Sequence, residues 1–258
     1  MSEKINLIIS DLQNLEFYLY LLYTSEELNM STTVIFSNMG DTDTAVLKYI
    51  WKGLPNCKVV EVNRETVNAR ELVNDAISKE HDTLIFAGHG TPSGLLNPSW
   101  KGGYYLIDKS NYQLIKCSRV IGIWCHAREF AESVGLRGFY SSMFISNSGE
   151  ARMNGYYKTT GQTITEQEIL FCIRLHELLA NYVPMKQWVK TLNEQADKSI
   201  DIVKFNYDGL RYYRKSVVVE KKPTYYGSSL AKFDDVSHFN RGIRQTKWDD
   251  DEDWFPEV

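Results

Sequence analysis

Asp82-Thr-Leu-Ile-Phe-Ala-Gly-His89-Gly90-Thr-Pro-Ser-Gly94 decides how the chain is read. Thr83 to Ala87 is a short, continuous apolar run, the pattern of a strand buried on both faces. Gly88, His89, Gly90 and a Pro-Ser-Gly turn end it abruptly. Farther along, Arg119-Val-Ile-Gly-Ile-Trp-Cys125-His126-Ala127 repeats the design, with a buried run that stops on a cysteine. Two such strands, each delivering one reactive side chain at its carboxyl end, can bring a base to a nucleophile in an α/β sheet.

The flanking sequence fits that frame. Ile5 to Ile9 reads as a buried strand, and Leu12 to Leu28 as an amphipathic helix with an aromatic inner face. Thr32 to Ser37 is a β-branched strand. Thr42 to Trp51 is a helix that Asp41 or Thr42 caps and Gly53-Leu-Pro55 stops. Lys58 to Val62 is a strand and Thr66 to Lys79 a helix. Strand and helix thus alternate four times, which argues for an α/β fold: a mostly parallel sheet with helices on both faces. Between the two key strands, Trp100 to Asp108 reads as a small hairpin. After Cys125 come a helix from Ala127 to Val134, a strand from Tyr140 to Ser146 and a polar loop from Asn147 to Gly155. Thr165-Glu-Gln-Glu168 fits a capping box opening a helix that runs to Asn181. A second helix spans Met185 to Ser199, and Tyr212 to Glu220 is a strand or an extended arm. The acidic end, Asp249 to Val258, reads as a flexible tail able to dock through Trp254 and Phe255.

Composition narrows the function. The chain has 258 residues, is 43% apolar and carries a net charge of −4. It can bury a sizeable core, and no basic block suits nucleic acid. Cys57, Cys117, Cys125 and Cys172 are dispersed, without a C-x-x-C pair, so free thiols are expected rather than a zinc ribbon or a disulfide framework. The early apolar run is too short for a signal peptide and no stretch has transmembrane length, so a cytoplasmic protein with no membrane partner is expected. No G-x-G-x-x-G follows the first strand, and no cofactor or metal is expected.

A thiol attacks as thiolate, so a nucleophilic Cys125 needs a lowered pKa. The start of the helix after it favours negative charge, and His89 on an adjacent strand can take the proton and later protonate the leaving amine. The N–H groups of Gly90 and Cys125 are candidate donors to the acyl oxygen. Gly90 also lets a substrate backbone approach. His126 is a rival base, but neighbours at a helix start rarely face each other. His176 with Cys172 one turn earlier has two metal-ligand types, too few for a site, and fits a packed helix face. Read without the other, His89 is a turn residue and Cys125 a core residue; it is their common frame that makes them a pair.

Strand-Gly-His89-Gly90 followed by strand-Cys125-His126-Ala127-helix resembles the caspase-like cysteine peptidases, which include the caspases, metacaspases, clostripain, gingipains, legumain, separase and the bacterial CHAT proteases. The resemblance covers Ser31 to Ala151 and is nearest the bacterial CHAT and gingipain-like group. It implies a three-layer sandwich, with residues 1–158 as catalytic core (1–30 an added strand and helix) and 159–258 as a helical C-terminal part of the same domain with the acidic tail. It implies hydrolysis of a protein substrate by a Cys125–His89 dyad with no obligatory third member, and an oxyanion hole from Gly90 and Cys125. The P1 pocket then lies beside the Cys strand, lined by the residue two before the cysteine, Ile123, and by Ser146 and Asn147. Ile123 is apolar where clostripain-like members carry an acid, so a basic P1 residue needs Glu150 or Asp108 to reach in. No Gln-Ala-Cys supports Asp specificity, although Arg128 and Arg152 are candidates for the cleft. The reading is a cysteine endopeptidase regulated by a protein activator; the alternative is an idle caspase-like module that binds a partner.

Overall fold

A computed structural model describes residues 30–214. The strand and helix expected before Met30, the arm beyond Arg214 and the acidic tail lie outside the described residues. In chain order the elements are β1 (Thr32–Ser37), α1 (Thr42–Val46) continued by a 3₁₀ turn (Leu47–Ile50), β2 (Cys57–Val62), α2 (Ala69–Ile77), β3 (Thr83–Ala87), β4 (Gly90–Thr91), β5 (Gly94–Leu96) and β6 (Tyr105–Asp108). They continue with β7 (Val120–Ile123), α3 (Ala127–Val134), β8 (Gly138–Tyr140), α4 (Ser148–Met153), α5 (Gly161–Ala180), α6 (Met185–Gln195), α7 (Asp201–Asp208) and β9 (Arg211–Tyr213).

The main sheet has six strands in the order β2-β1-β3-β7-β8-β9. All its pairings are parallel except β8 with β9. β4, β5 and β6 form a separate antiparallel sheet, so the expected hairpin is part of a three-stranded unit. Ser37 Oγ ties the two sheets by donating to the Leu96 carbonyl at 2.8 Å.

Period-two alternation divides the central strands between two cores. Val34 and Phe36 of β1, Ile85 and Ala87 of β3, and Ile121 and Ile123 of β7 point to the side covered by α1, the 3₁₀ turn, α5, α6 and α7. Ile35, Leu84, Phe86 and Val120 point to the other, covered by α2, α3 and residues of the small sheet. Every residue of β1, β3 and β7 is buried, as strands between two helical layers must be. Each fully buried Ile, Phe or Leu stabilises by about 1.5–3 kcal/mol relative to exposure.

The second half of the chain departs from the sequence expectation in four places. β8 ends at Tyr140, and Ser141 to Ser146 runs on outside it. The polar loop after Asn147 contains the helix α4, because the Asn147 side chain caps it by accepting from Glu150 N. The helix expected from Thr165 begins at Gly161, with Thr160 as cap. An additional helix, α7, follows α6.

Candidate active site

β3 and β7 are adjacent and parallel, with Ala87 opposite Ile123 as their last pair. His89 and Cys125 each lie two residues beyond that pair, so the strands deliver them to the same edge of the sheet. Gly88 N donates to Ile123 O at 3.1 Å and holds the two strand ends together.

The glycines flanking His89 answer to packing. Gly88 has φ +145°, and a Cβ there would lie 2.6 Å from the Ser37 Cβ. A Cβ on Gly90 would fall inside the indole of Trp124. Gly90 therefore gives its space to Trp124, not to an open cleft. Trp124 is buried and packs edge-on to Phe86; its Nε1 donates to Thr91 O at 3.3 Å. This indole sets the path of the loop that carries His89.

His89 Nε2 lies 2.9 Å from Asp41 Oδ2. No sequence pattern marks this partner. Asp41 is the cap of α1, where its other oxygen accepts from Thr44 N at 2.8 Å. Burial alone would raise its carboxyl, but the Thr44 hydrogen bonds and His89 outweigh that and hold it below the usual value. With Nε2 taken, His89 Nδ1 makes no hydrogen bond among the described residues and is the ring atom left to exchange a proton.

Cys125 is half-buried, and its thiol points inward, Sγ donating to Phe144 O at 3.5 Å. Its own N–H has no hydrogen-bond partner among the described residues, which suits a donor to a developing oxyanion. Burial first and the charge of Glu150 second push the thiol up to about 12. This reverses the expectation of a thiol lowered by the helix start. Cys125 precedes the α3 cap, His126, which sits in the left-handed region at φ +71°, and the nearby charges are carboxylates.

His126 turns to Glu129, Nδ1 to Oε1 at 3.7 Å. Arg128 also pairs with Glu129, at 3.2 Å, and so is engaged on α3. Asp108 is held by Arg70, its two oxygens at 2.8 and 2.9 Å from the guanidinium nitrogens. Ile123 is 3% exposed and packs in the core beneath the site, which leaves no face open to a ligand. His176 Nδ1 lies 3.1 Å from Ile50 O, and Cys172 is fully buried.

Ser146, Asn147 and Glu150 lie together at the start of α4, with Glu150 close enough to act on the Cys125 thiol. Ser146 N and Oγ both reach Glu150 Oε2, at 2.8 and 3.1 Å. Ser146 Oγ also lies 3.3 Å from Asp43 Oδ2, to which Asn147 Nδ2 donates at 2.8 Å. Glu168 of α5 lies within electrostatic reach of Asp43, Glu150 and Asp41. Sequence reasoning named Glu150 only as a candidate and missed Asp43 and Glu168 as site residues.

Among the described residues no helix is long and apolar enough to cross a membrane. No family model matches the chain, and no curated protein sequence matches it.

Proposed function

We propose that the chain is a caspase-like cysteine endopeptidase in which Cys125 is the nucleophile, His89 the general base and acid, and Asp41 the residue that orients His89. The observation that carries the reading is the matched offset of His89 and Cys125 beyond the paired ends of β3 and β7. Nε2 of the histidine is anchored on Asp41 while Nδ1 is left free to act.

The thiol is protonated at rest, so proton removal accompanies attack instead of preceding it. His89 Nδ1 takes the proton as Sγ bonds to the scissile carbonyl carbon. The N–H of Cys125, with that of Gly90, receives the oxyanion. As the C–N bond breaks, Nδ1 returns the proton to the leaving amine. Water then attacks the thioester, losing a proton to the same nitrogen, which goes back to sulfur as the acid leaves. Asp41 stabilises the imidazolium at both stages.

The raised thiol pKa also favours a second reading, a caspase-like module that binds a protein partner without cleaving it. Cleavage of a proteome-derived peptide library separates the two. The peptidase reading expects products that vanish in Cys125→Ala and His89→Ala, and a loss of about 10–100-fold in kcat/KM for Asp41→Asn. Products that persist in Cys125→Ala, or a wild-type chain that stays inactive with its cellular partners present, would remove it.

A further inference from the structure

The small sheet carries an aromatic surface that the dyad does not use. Trp100 and Tyr104 are 53% and 52% exposed. Their rings pack on each other with centroids 4.9 Å apart, and Tyr104 meets Tyr105 edge-on, also at 4.9 Å. Tyr105 Oη shares a hydrogen bond of 3.0 Å with Thr91 Oγ1, so the aromatic row begins two residues after His89. The loop that displays these rings is braced from within. Asn97 is fully buried, and its Nδ2 donates to Lys101 O and Gly103 O at 3.0 and 2.9 Å. Its Oδ1 accepts from Ser99 N and Ser99 Oγ at 3.1 and 2.9 Å. Trp100 itself is held at φ +56°, a conformation that a bulky side chain takes only at a cost. Apolar rings gathered at the surface on a strained, internally braced loop mark a contact surface.

We propose that this surface is the docking site for the chain's own residues 249–258, with Trp254 and Phe255 seated against Trp100 and Tyr104. Two observations select that occupant. The first is charge. Residues 249–253 are all acids and lead directly into Trp254 and Phe255, with no lysine or arginine in residues 249–258. The platform answers with Lys101, beside Trp100, and Lys109, at the end of β6. Both are exposed, and no ion pair among the described residues holds either. Glu71 approaches the loop at Gly102, so the lysines orient the segment while the rings supply the grip. The second is reach. β9 ends at Tyr213, and Trp254 follows Arg214 by 40 residues. Taken as a random coil, that length spans about 35 Å, against a radius of gyration of about 16 Å for a domain of this size. Tethering at that range sets an effective concentration on the order of 1 mM, so a segment with a Kd of about 100 μM for the platform is docked about nine-tenths of the time. The inference does not depend on the peptidase reading. It places the segment along the small sheet that starts at Gly90, next to His89.

Hydrogen exchange of the full-length chain tests the docking. Against wild type, Trp254→Ala combined with Phe255→Ala is expected to speed exchange across residues 97–108 by about tenfold, the factor set by a segment docked about nine-tenths of the time. A synthetic peptide of residues 249–258 is then titrated calorimetrically into that double variant. It is expected to bind with a Kd of about 100 μM, to weaken as salt rises, and to weaken about tenfold when Trp100→Ala or Tyr104→Ala is added. Where a ring variant does not fold, Lys101→Glu is used and is expected to weaken the peptide by about threefold. Unchanged exchange in the Trp254→Ala, Phe255→Ala chain overturns the proposal, as does a peptide whose binding ignores the ring and lysine substitutions. An exchange difference that grows with protein concentration assigns the platform to the tail of a second copy and overturns docking within one chain. None of these readouts involves cleavage at Cys125, so the peptidase reading stands or falls apart from them.

Discussion

At the scale of single residues, Glu168 burdens the fold. Its carboxyl is pushed up to about 9, by burial first and then by Asp43, Glu150 and Asp41. In the unfolded chain it titrates near its ordinary 4.5. Between those values the folded protein keeps the proton and the unfolded chain has released it, so this group makes the fold less stable as pH rises through the window. Below it both states are protonated, and above it the cost levels off. Glu150 is raised as well and acts in the same direction; Asp41 is lowered and acts in the other. Both stay in place when only Glu168 is changed. Glu168→Gln is therefore expected to gain stability on the wild type as pH rises, by up to about 1.4 kcal/mol per unit, in urea melts from about pH 5 to about pH 8. A difference between the two proteins that stays flat across that range would mean Glu168 is not held neutral in the fold. A variant that is constantly less stable would mean its oxygens have a partner.

At the scale of elements, the parts legible in the sequence are those that stability alone determines. β1, β3 and β7 are buried on both faces, so they appear as uninterrupted apolar runs, and the residues ending them stand out. Asp41 did not stand out as the partner of His89. The two are far apart in sequence, and only the pairing of β1 with β3 brings the α1 cap to the histidine. The Thr165-x-x-Glu168 pattern misled because a capping box and an internal i,i+3 pair look alike when the helix start is unknown. Thr160 accepts from Thr163 N at 3.2 Å and starts the helix earlier, which carries Glu168 inward. The available signal was helical spacing: Ile164, Glu168, Cys172 and Leu175 share one face, and a lone acid on an apolar stripe marks a buried charge. The α4 cap is hidden in the same way, since Asn147 opens a polar stretch whose composition is that of a loop. Asn147→Ala removes the bond to Glu150 N and the donor to Asp43. It is expected to cost about 1 kcal/mol in chemical denaturation, the usual worth of such a cap. No loss of stability would show that α4 holds its place without Asn147.

At the scale of the whole molecule, the sheet and its two helical layers put opposite kinds of pressure on the cysteine. The β3–β7 pairing holds it at the same sheet edge as a base with a free ring nitrogen. Burial first, and then the carboxylates of Glu150 on α4, Glu168 on α5 and Glu129 on α3, keep its proton on. On the peptidase reading proposed above, the thiol therefore stays protonated until something offsets its burial and these charges. Alkylation tests this without a peptide substrate. Iodoacetamide reacts with the thiolate, so its rate at Cys125 follows the thiolate fraction. Methylguanidine is a small cation able to offset the charge of Glu150, which after burial most raises the thiol. It is expected to speed modification of Cys125, read by peptide mass spectrometry, while Cys57 and Cys117 react at unchanged rates. The acceleration should be about tenfold for each unit by which the thiol pKa falls, so long as thiolate remains the minor form. Protection of Cys125 by methylguanidine would show that the cation blocks the thiol and does not prime it. Equal effects at all three cysteines would trace the change to ionic strength and remove the coupling.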